Sequence, residues 1–198
     1  MRKTFAQAPD ELTLQRARKG DMKALESIYR SFDTPVFTLG LRVCGRVEEA
    51  EEVLQETFLE VGRSIGGYRG EAPLGAWIKR IATSKALMRL RKQSRERETL
   101  VGTLGERDVN SLDPPAPSAG GAARTAAKVD LERALSRLPE TARAVLWLHD
   151  VEGYTHEEIA ELAGKTKSFS KSQLARAHAR LRTILASGEG GWCHASES

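Results

Sequence analysis

The chain has 198 residues, 40% hydrophobic and 29% charged, with 31 Lys and Arg against 27 Asp and Glu for a formal net charge of +4. That balance is too apolar for a wholly disordered chain and too polar for a membrane-embedded one, and the length fits one large domain or two small ones. No apolar run approaches the roughly 20 residues that span a bilayer, and no apolar signal-peptide core stands near the first residues, so the expectation is a cytoplasmic protein without membrane insertion.

Taken in chain order, Asp21 is placed to cap a helix whose apolar positions Leu25, Ile28, Tyr29, Phe32, Val36 and Leu39 follow the three-four spacing of a buried stripe. The next segment repeats that spacing with Ala50, Val53, Leu54, Phe58, Val61 and Ile65, while Glu49, Glu52, Glu56 and Glu60 fall on another face. This predicts a helix that is apolar inward and acidic outward. A break at Gly66, Gly67 and Gly70 precedes Pro73, which suits the first turn of a third helix. That helix carries Trp77, Ile78, Ile81 and Ala82 and runs into Lys85, Arg89, Arg91, Lys92, Arg95 and Arg97.

From Val101 to about Val129 apolar periodicity is lost. Asp113-Pro114-Pro115-Ala116-Pro117-Ser118 and Gly120-Gly121 mark a flexible linker. Beyond it, Leu131, Ala134, Leu135 and Leu138 form a short stripe meeting Pro139, where a helix begins that runs through Val145 and Leu148 until Gly153. Thr155 and Glu158 match a capping box for a short helix bearing Ile159, Ala160, Leu162 and Ala163, closed by Gly164. A last helix holds Leu174, Ala177, Leu181, Ile184 and Leu185 inward. The fold class is therefore all-α: two small helical domains joined by a flexible linker, the second a helix-turn-helix. The expected boundaries are 1–99, a linker over 100–129, 130–187, and a tail over 188–198.

No catalytic residue, cofactor or metal set is assigned. His149, His156, His178 and His194 are scattered, and no phosphate-cradling Gly loop or nucleophile elbow occurs. Cys44 and Cys193 form neither a disulfide framework nor a metal-ligand pattern. Charge is the informative feature. Between Lys165 and Ala186 there are six Lys or Arg and no acid, a surface that attracts DNA phosphates by counterion release; a solvated helix end is the plainer alternative. The Lys85 to Arg97 cluster continues a helix bearing Trp77 and follows Tyr68 and Arg69, and rings beside cations suit unstacked bases. Trp77 is equally in phase with the core positions Ile78 and Ile81. The acidic helix needs a basic protein partner or only water.

These residues resemble the extracytoplasmic-function sigma factors of bacterial RNA polymerase, across both helical parts and in their order. Glu49-Ala50-Glu51-Glu52-Val53-Leu54-Gln55-Glu56-Thr57-Phe58 is similar to the family's Asp-Ala-Glu-Asp-Leu-x-Gln-Glu-x-Phe helix. The resemblance implies that Glu49, Glu51, Glu52, Gln55 and Glu56 bind core RNA polymerase at the clamp helices of its largest subunit. Tyr68-Arg69-Gly70 through Ala76-Trp77-Ile78-x-x-Ile81-Ala82 resembles the segment that reads the melted minus-ten element, which implies roles there for Tyr68, Arg69, Trp77, Arg80, Ser84, Lys85 and Arg89. Leu138-Pro139, Glu157-Glu158-Ile159-Ala160-Glu161-Leu162, Gly164 and Arg176-Ala177-x-Ala179-Arg180-Leu181-Arg182 resemble the module that reads the minus-thirty-five element as duplex. Its implied readers are Lys167, Ser168, Phe169, Lys171, Ser172, Gln173, Arg176 and Arg180. The implied function is that of a promoter-specificity subunit, not an enzyme, with core RNA polymerase and promoter DNA as partners and an anti-sigma factor as a further one.

The chain departs from the family pattern at two places. Ile81-Ala82-Thr83-Ser84 shortens a side chain where the family has Asn. In the string from Gly164 to Leu174, Phe169-Ser170 replaces Thr-Val, bringing a large ring near the groove and removing an apolar anchor between the two helices, and Gln173 replaces an Arg able to bind phosphate or guanine. Thr166 caps the last helix by the family pattern, while Ser170 with Gln173 offers a second start. Two other functions stay open at this point: a stand-alone helix-turn-helix regulator, and an interaction protein lacking promoter activity.

Overall fold

The structure, a computed structural model, describes residues 3–104 and 133–189. The expected linker from residue 105 onward and the tail beyond 189, with Trp192, Cys193 and His194, lie outside these residues. The chain divides into two compact units, Met1–Thr99 and Leu100–Ser198. No strand occurs among the described residues.

The first unit has four helices: α1 (Glu11–Arg18), α2 (Met22–Cys44), α3 (Val47–Ser64) and α4 (Leu74–Leu104), with a 3-10 turn Ile65–Gly67 between α3 and α4. Asp21 caps α2 by accepting from the backbone N–H of Lys23 and Ala24, and Gly45 ends it in the left-handed region at φ 82°. The stripes meet as their spacing requires: Ile28, Phe32, Val36, Val53 and Ile78 are wholly buried. A fully buried side chain of this size contributes roughly 1.5–3 kcal/mol. Helices α2 and α3 cross closely at Gly40, where a Cβ would lie 3.2 Å from the Ala50 Cα. Tyr29 departs from the expected stripe. It is 40% exposed and packs edge-on against Phe58, with ring centroids 4.7 Å apart.

Helix α1 is an addition to the sequence reading. Asp10 caps it, accepting from Thr13 N–H at 2.8 Å, but only Ala17 is buried along its length. A helix that buries one small side chain leaves almost no periodic signal. Helix α4 starts at Leu74, with Pro73 just before it accepting from the N–H groups of Ala76 and Trp77. It continues to Leu104, into the stretch expected as linker.

The second unit contains a helical turn over residues 133–136, then α5 (Glu140–Leu146), α6 (His156–Ala163) and α7 (Lys167–Glu189). After α5 the backbone widens into a π turn, Trp147–Val151, closed by Glu152 N–H donating to the Trp147 carbonyl at 3.0 Å. The Thr155–Glu158 capping box forms with both of its hydrogen bonds, and Gly164 closes α6 at φ 57°. Helix α7 buries Ser170, Leu174 and Ala177. Leu185, expected inward, is 44% exposed, because α7 extends past the helices that cover its first turns.

Candidate functional site

The acidic and basic faces of the first unit, expected to serve different partners, are in contact with each other. Arg89 on α4 is only 15% exposed in its side chain and reaches three carboxylates of α3. Its Nη1 lies 3.6 Å from Glu49, and its Nη2 contacts Glu52 and lies 3.2 Å from Glu56. One turn earlier on α4, Lys85 Nζ is 3.4 Å from Glu60. The carboxylates at 49, 52, 56 and 60 share one stripe of α3 and the cations at 85 and 89 share one of α4, so antiparallel neighbours zip together.

This contact splits the residues expected to bind the polymerase. Glu49, Glu52 and Glu56 face Arg89, whereas Glu51 and Gln55 are exposed on the neighbouring stripe. Leu59 continues that outer stripe and is 59% exposed. Sequence reasoning passed over Leu59, although an apolar residue four positions beyond Gln55 on an otherwise polar face was the available signal. Of the residues expected at the minus-ten element, Lys85 and Arg89 are turned toward α3. Ser84 is half-buried and Arg80 exposed.

Tyr68 and Trp77 come together at the loop between α3 and α4, with ring centroids 5.2 Å apart and planes tilted by 43°. The Tyr68 hydroxyl donates to the Ala72 carbonyl, which closes the loop. Trp77 is half-buried and Arg69 is exposed.

In the second unit the start of α7 is settled by Thr166, whose hydroxyl accepts from Phe169 N–H at 3.1 Å. Ser170 is not a cap. It is completely buried, with its hydroxyl 3.0 Å from Nδ1 of His156 on α6, so a polar tie occupies the position where the family has an apolar anchor. Phe169 is half-buried under Lys165, whose Nζ is 5.7 Å from the ring centroid. Ser168, Lys171, Ser172, Arg176 and Arg180 are exposed, while Gln173 is half-buried. Lys167 pairs with Glu157. The hydroxyl of Ser172 donates to the Phe169 carbonyl at 2.9 Å. With a repeat near four, positions 168, 172, 176 and 180 form one solvent-facing row along the helix.

Three of the histidines, His149, His156 and His178, gather around Asp150 and the π turn, while His194 lies outside the described residues. His149 stacks on His156 with centroids 4.5 Å apart, and Asp150 joins His149 and His178 through contacts of 2.7 Å each. The π turn makes this cluster by rotating His149 and Asp150 relative to a regular helix. Burial disfavours the charged form of His156, and the neighbouring His149 and Lys171 add to it, so its pKa lies below the usual imidazole value. Burial alone pushes the Asp150 carboxyl up, but hydrogen bonds from His149 and His178 outweigh it and the net direction is down.

Residues 28–96 match the family model for Sigma-70 region 2, and residues 128–181 match that for Sigma-70, region 4. The ECF RNA polymerase sigma factor SigM of Mycobacterium tuberculosis is 28% identical over 166 residues, covering 84% of this chain and 79% of SigM. The chain belongs to the extracytoplasmic-function group of the sigma-70 family. Similar too is the ECF sigma factor SigE of Mycolicibacterium smegmatis, 32% identical over 170 residues, covering 84% of this chain and 65% of SigE. Among solved structures, the sigma factor RpoE of Bartonella quintana, in complex with the anti-sigma factor NepR, has the same fold. Its TM-score is 0.53 at 20% identity, over 83% of this chain and 98% of that one. As a sigma factor, the chain acts in promoter recognition and transcription initiation with RNA polymerase. No helix among the described residues is long and apolar enough to cross a membrane.

Proposed function

We propose that this sigma factor divides its work between two parts, residues 1–99 and 130–187, with 100–129 as the tether between them. The outer stripe of α3, Glu51, Gln55 and Leu59, with the rims of Glu52 and Glu56, meets the clamp helices of the polymerase largest subunit. Tyr68, Arg69 and Trp77, with Arg80 and Ser84 on the following helix, take bases of the melted minus-ten strand. The α7 row of Ser168, Ser172, Arg176 and Arg180, with Lys171 and Phe169 beside it, enters the major groove of the minus-thirty-five duplex.

The observation that carries this reading is the contrast in charge pairing. Lys171, Arg176 and Arg180 are exposed and make no ion pair among the described residues, so their charge is available to phosphates and base edges. The protein makes and breaks no bonds. Capturing displaced bases lowers the free energy of the melted promoter and shifts the duplex toward opening, and the polymerase supplies the catalysis. The work takes place in the cytoplasm, and an anti-sigma protein is the expected restraint.

The test is transcription reconstituted from this protein and bacterial core polymerase on a template library with both promoter elements randomised. A restricted set of transcribed promoters is expected. Glu51→Arg combined with Leu59→Asp should lower polymerase affinity about tenfold, the scale of removing one interface anchor and one rim charge, and leave duplex binding unchanged. Failure of the wild-type chain to bind any core polymerase would overturn the proposal.

A further inference from the structure

Helix α1 precedes the region 2 match, which begins at residue 28, yet it reaches the base-reading loop. The turn after α1 is fixed by an ion pair, Arg16 to Asp21 at 2.7 Å, and by Gly20 at φ 82°. That turn brings the end of α1 against the Ile65–Gly67 turn, where the Arg18 carbonyl oxygen lies 3.5 Å from the point a Cβ on Gly66 would occupy. From there the Arg18 side chain crosses to the loop, and its guanidinium carbon sits 5.4 Å from the centroid of the Tyr68 ring.

Three restraints therefore act on Tyr68: its hydroxyl on the Ala72 carbonyl, Trp77 at 5.2 Å, and the Arg18 cation over its face. Arg18 Nε is buried and has no hydrogen-bond partner, so at that nitrogen the guanidinium is not anchored to an acceptor. A cation over a ring restricts the ring without any directional bond. A fixed ring also loses less conformational entropy when a base arrives.

We propose that Arg18 is a positioning residue for promoter melting: by clamping Tyr68 beside Trp77, it gives a displaced minus-ten base a preformed surface. The inference rests on the reading above that Tyr68 and Trp77 meet the melted strand. It assigns a role in base reading to a helix outside the matched region.

The experiment uses holoenzyme reconstituted with core polymerase on the randomised template library, comparing wild type, Arg18→Met, Arg18→Lys and Tyr68→Ala. Arg18→Met keeps length and apolar packing but no cation. It should lower transcript yield about fivefold, the scale of one partly exposed cation–π contact, and flatten base preference at the same minus-ten positions as Tyr68→Ala. Arg18→Lys, which keeps the cation, should recover most of both. Core-polymerase affinity and the thermal midpoint should match wild type, whereas a merely structural role would move those and leave base preference alone. If Arg18→Met does not fold, Arg18→Gln serves as the uncharged variant and the same comparison decides. Wild-type preference in the uncharged variant, beside a defective Tyr68→Ala, overturns the inference and leaves the base-reading assignment standing. Wild-type preference in Tyr68→Ala overturns both.

Discussion

Arg89 and Arg176 have the same side chain and opposite circumstances. Arg89 sits 15% exposed among three carboxylates of α3, while Arg176 stands exposed on α7 with no acid between Lys165 and Ala186. Both belong to clusters that look alike as strings of basic residues. The difference lies in what packs beside the helix: α4 has an acidic neighbour, whereas among the described residues the lysines and arginines of α7 meet an acid at Lys167, which pairs with Glu157. A basic run therefore marks a nucleic-acid surface only after the charges of the facing element have been subtracted. In the first unit the subtraction removes Arg89 and Lys85 and leaves the aromatic loop as the principal feature of the proposed minus-ten surface.

The largest expected effect tests Arg89 as a structural cation. Removing one partner from a buried charge cluster costs about 3–5 kcal/mol; with Glu52 and Glu56 partly in solvent, Arg89→Ala should cost about 2 kcal/mol. In a unit of this size that lowers the thermal midpoint by roughly 10 °C. Calorimetry on the full chain checks it. An unchanged midpoint accompanied by lost promoter opening would return Arg89 to the DNA face and break the comparison.

The next effect tests the α7 cations as functional ones. Arg176→Ala and Arg180→Ala should each change stability by less than about 0.5 kcal/mol, as exposed substitutions do. Each that neutralises a phosphate should reduce the slope of log affinity against log salt by about 0.9. A titration of duplex binding at several salt concentrations measures this. If the slope stays constant while affinity drops at particular base pairs only, these arginines read bases and not phosphates, which sharpens the assignment.

What the sequence disclosed follows the range of the interactions. Asp21, the Thr155–Glu158 box and Gly164 satisfy backbone groups within a few residues, and each is found as expected. The buried stripes of α2 and α3 were legible because a 3.6-residue period leaves a regular trace. Meetings between distant residues were not. Glu52 and Arg89 are far apart along the chain, and no local pattern says that the outer face of one helix covers the outer face of another. Arg18 over Tyr68 is of the same kind, on a helix whose single buried residue gave no period. The histidine cluster escaped because a π turn re-aims His149 and Asp150, which a regular helical wheel does not anticipate.

The smallest effect concerns that cluster, and it probes a third kind of charge in which the cation is absent until pH falls. His156 is surrounded by His149 across the stack, by Lys167 and Lys171 on α7, by Glu157 beside it, and by Ser170 at its Nδ1. Its folded-state pKa is lowered, so the fold favours the neutral ring. That contribution is complete above the unfolded pKa of about 6.5 and is lost as pH falls through the folded value. The Asp150 carboxylate, with its pKa also lowered, stays ionised across this window and does not contribute to the change. Acidification should therefore lower the midpoint of the second unit. His156→Gln, which keeps a polar partner for Ser170 but does not titrate, should flatten the dependence. A midpoint that instead holds or rises on acidification in wild type would mean that the neutral His156 ring is not what the fold favours at the α6 to α7 contact.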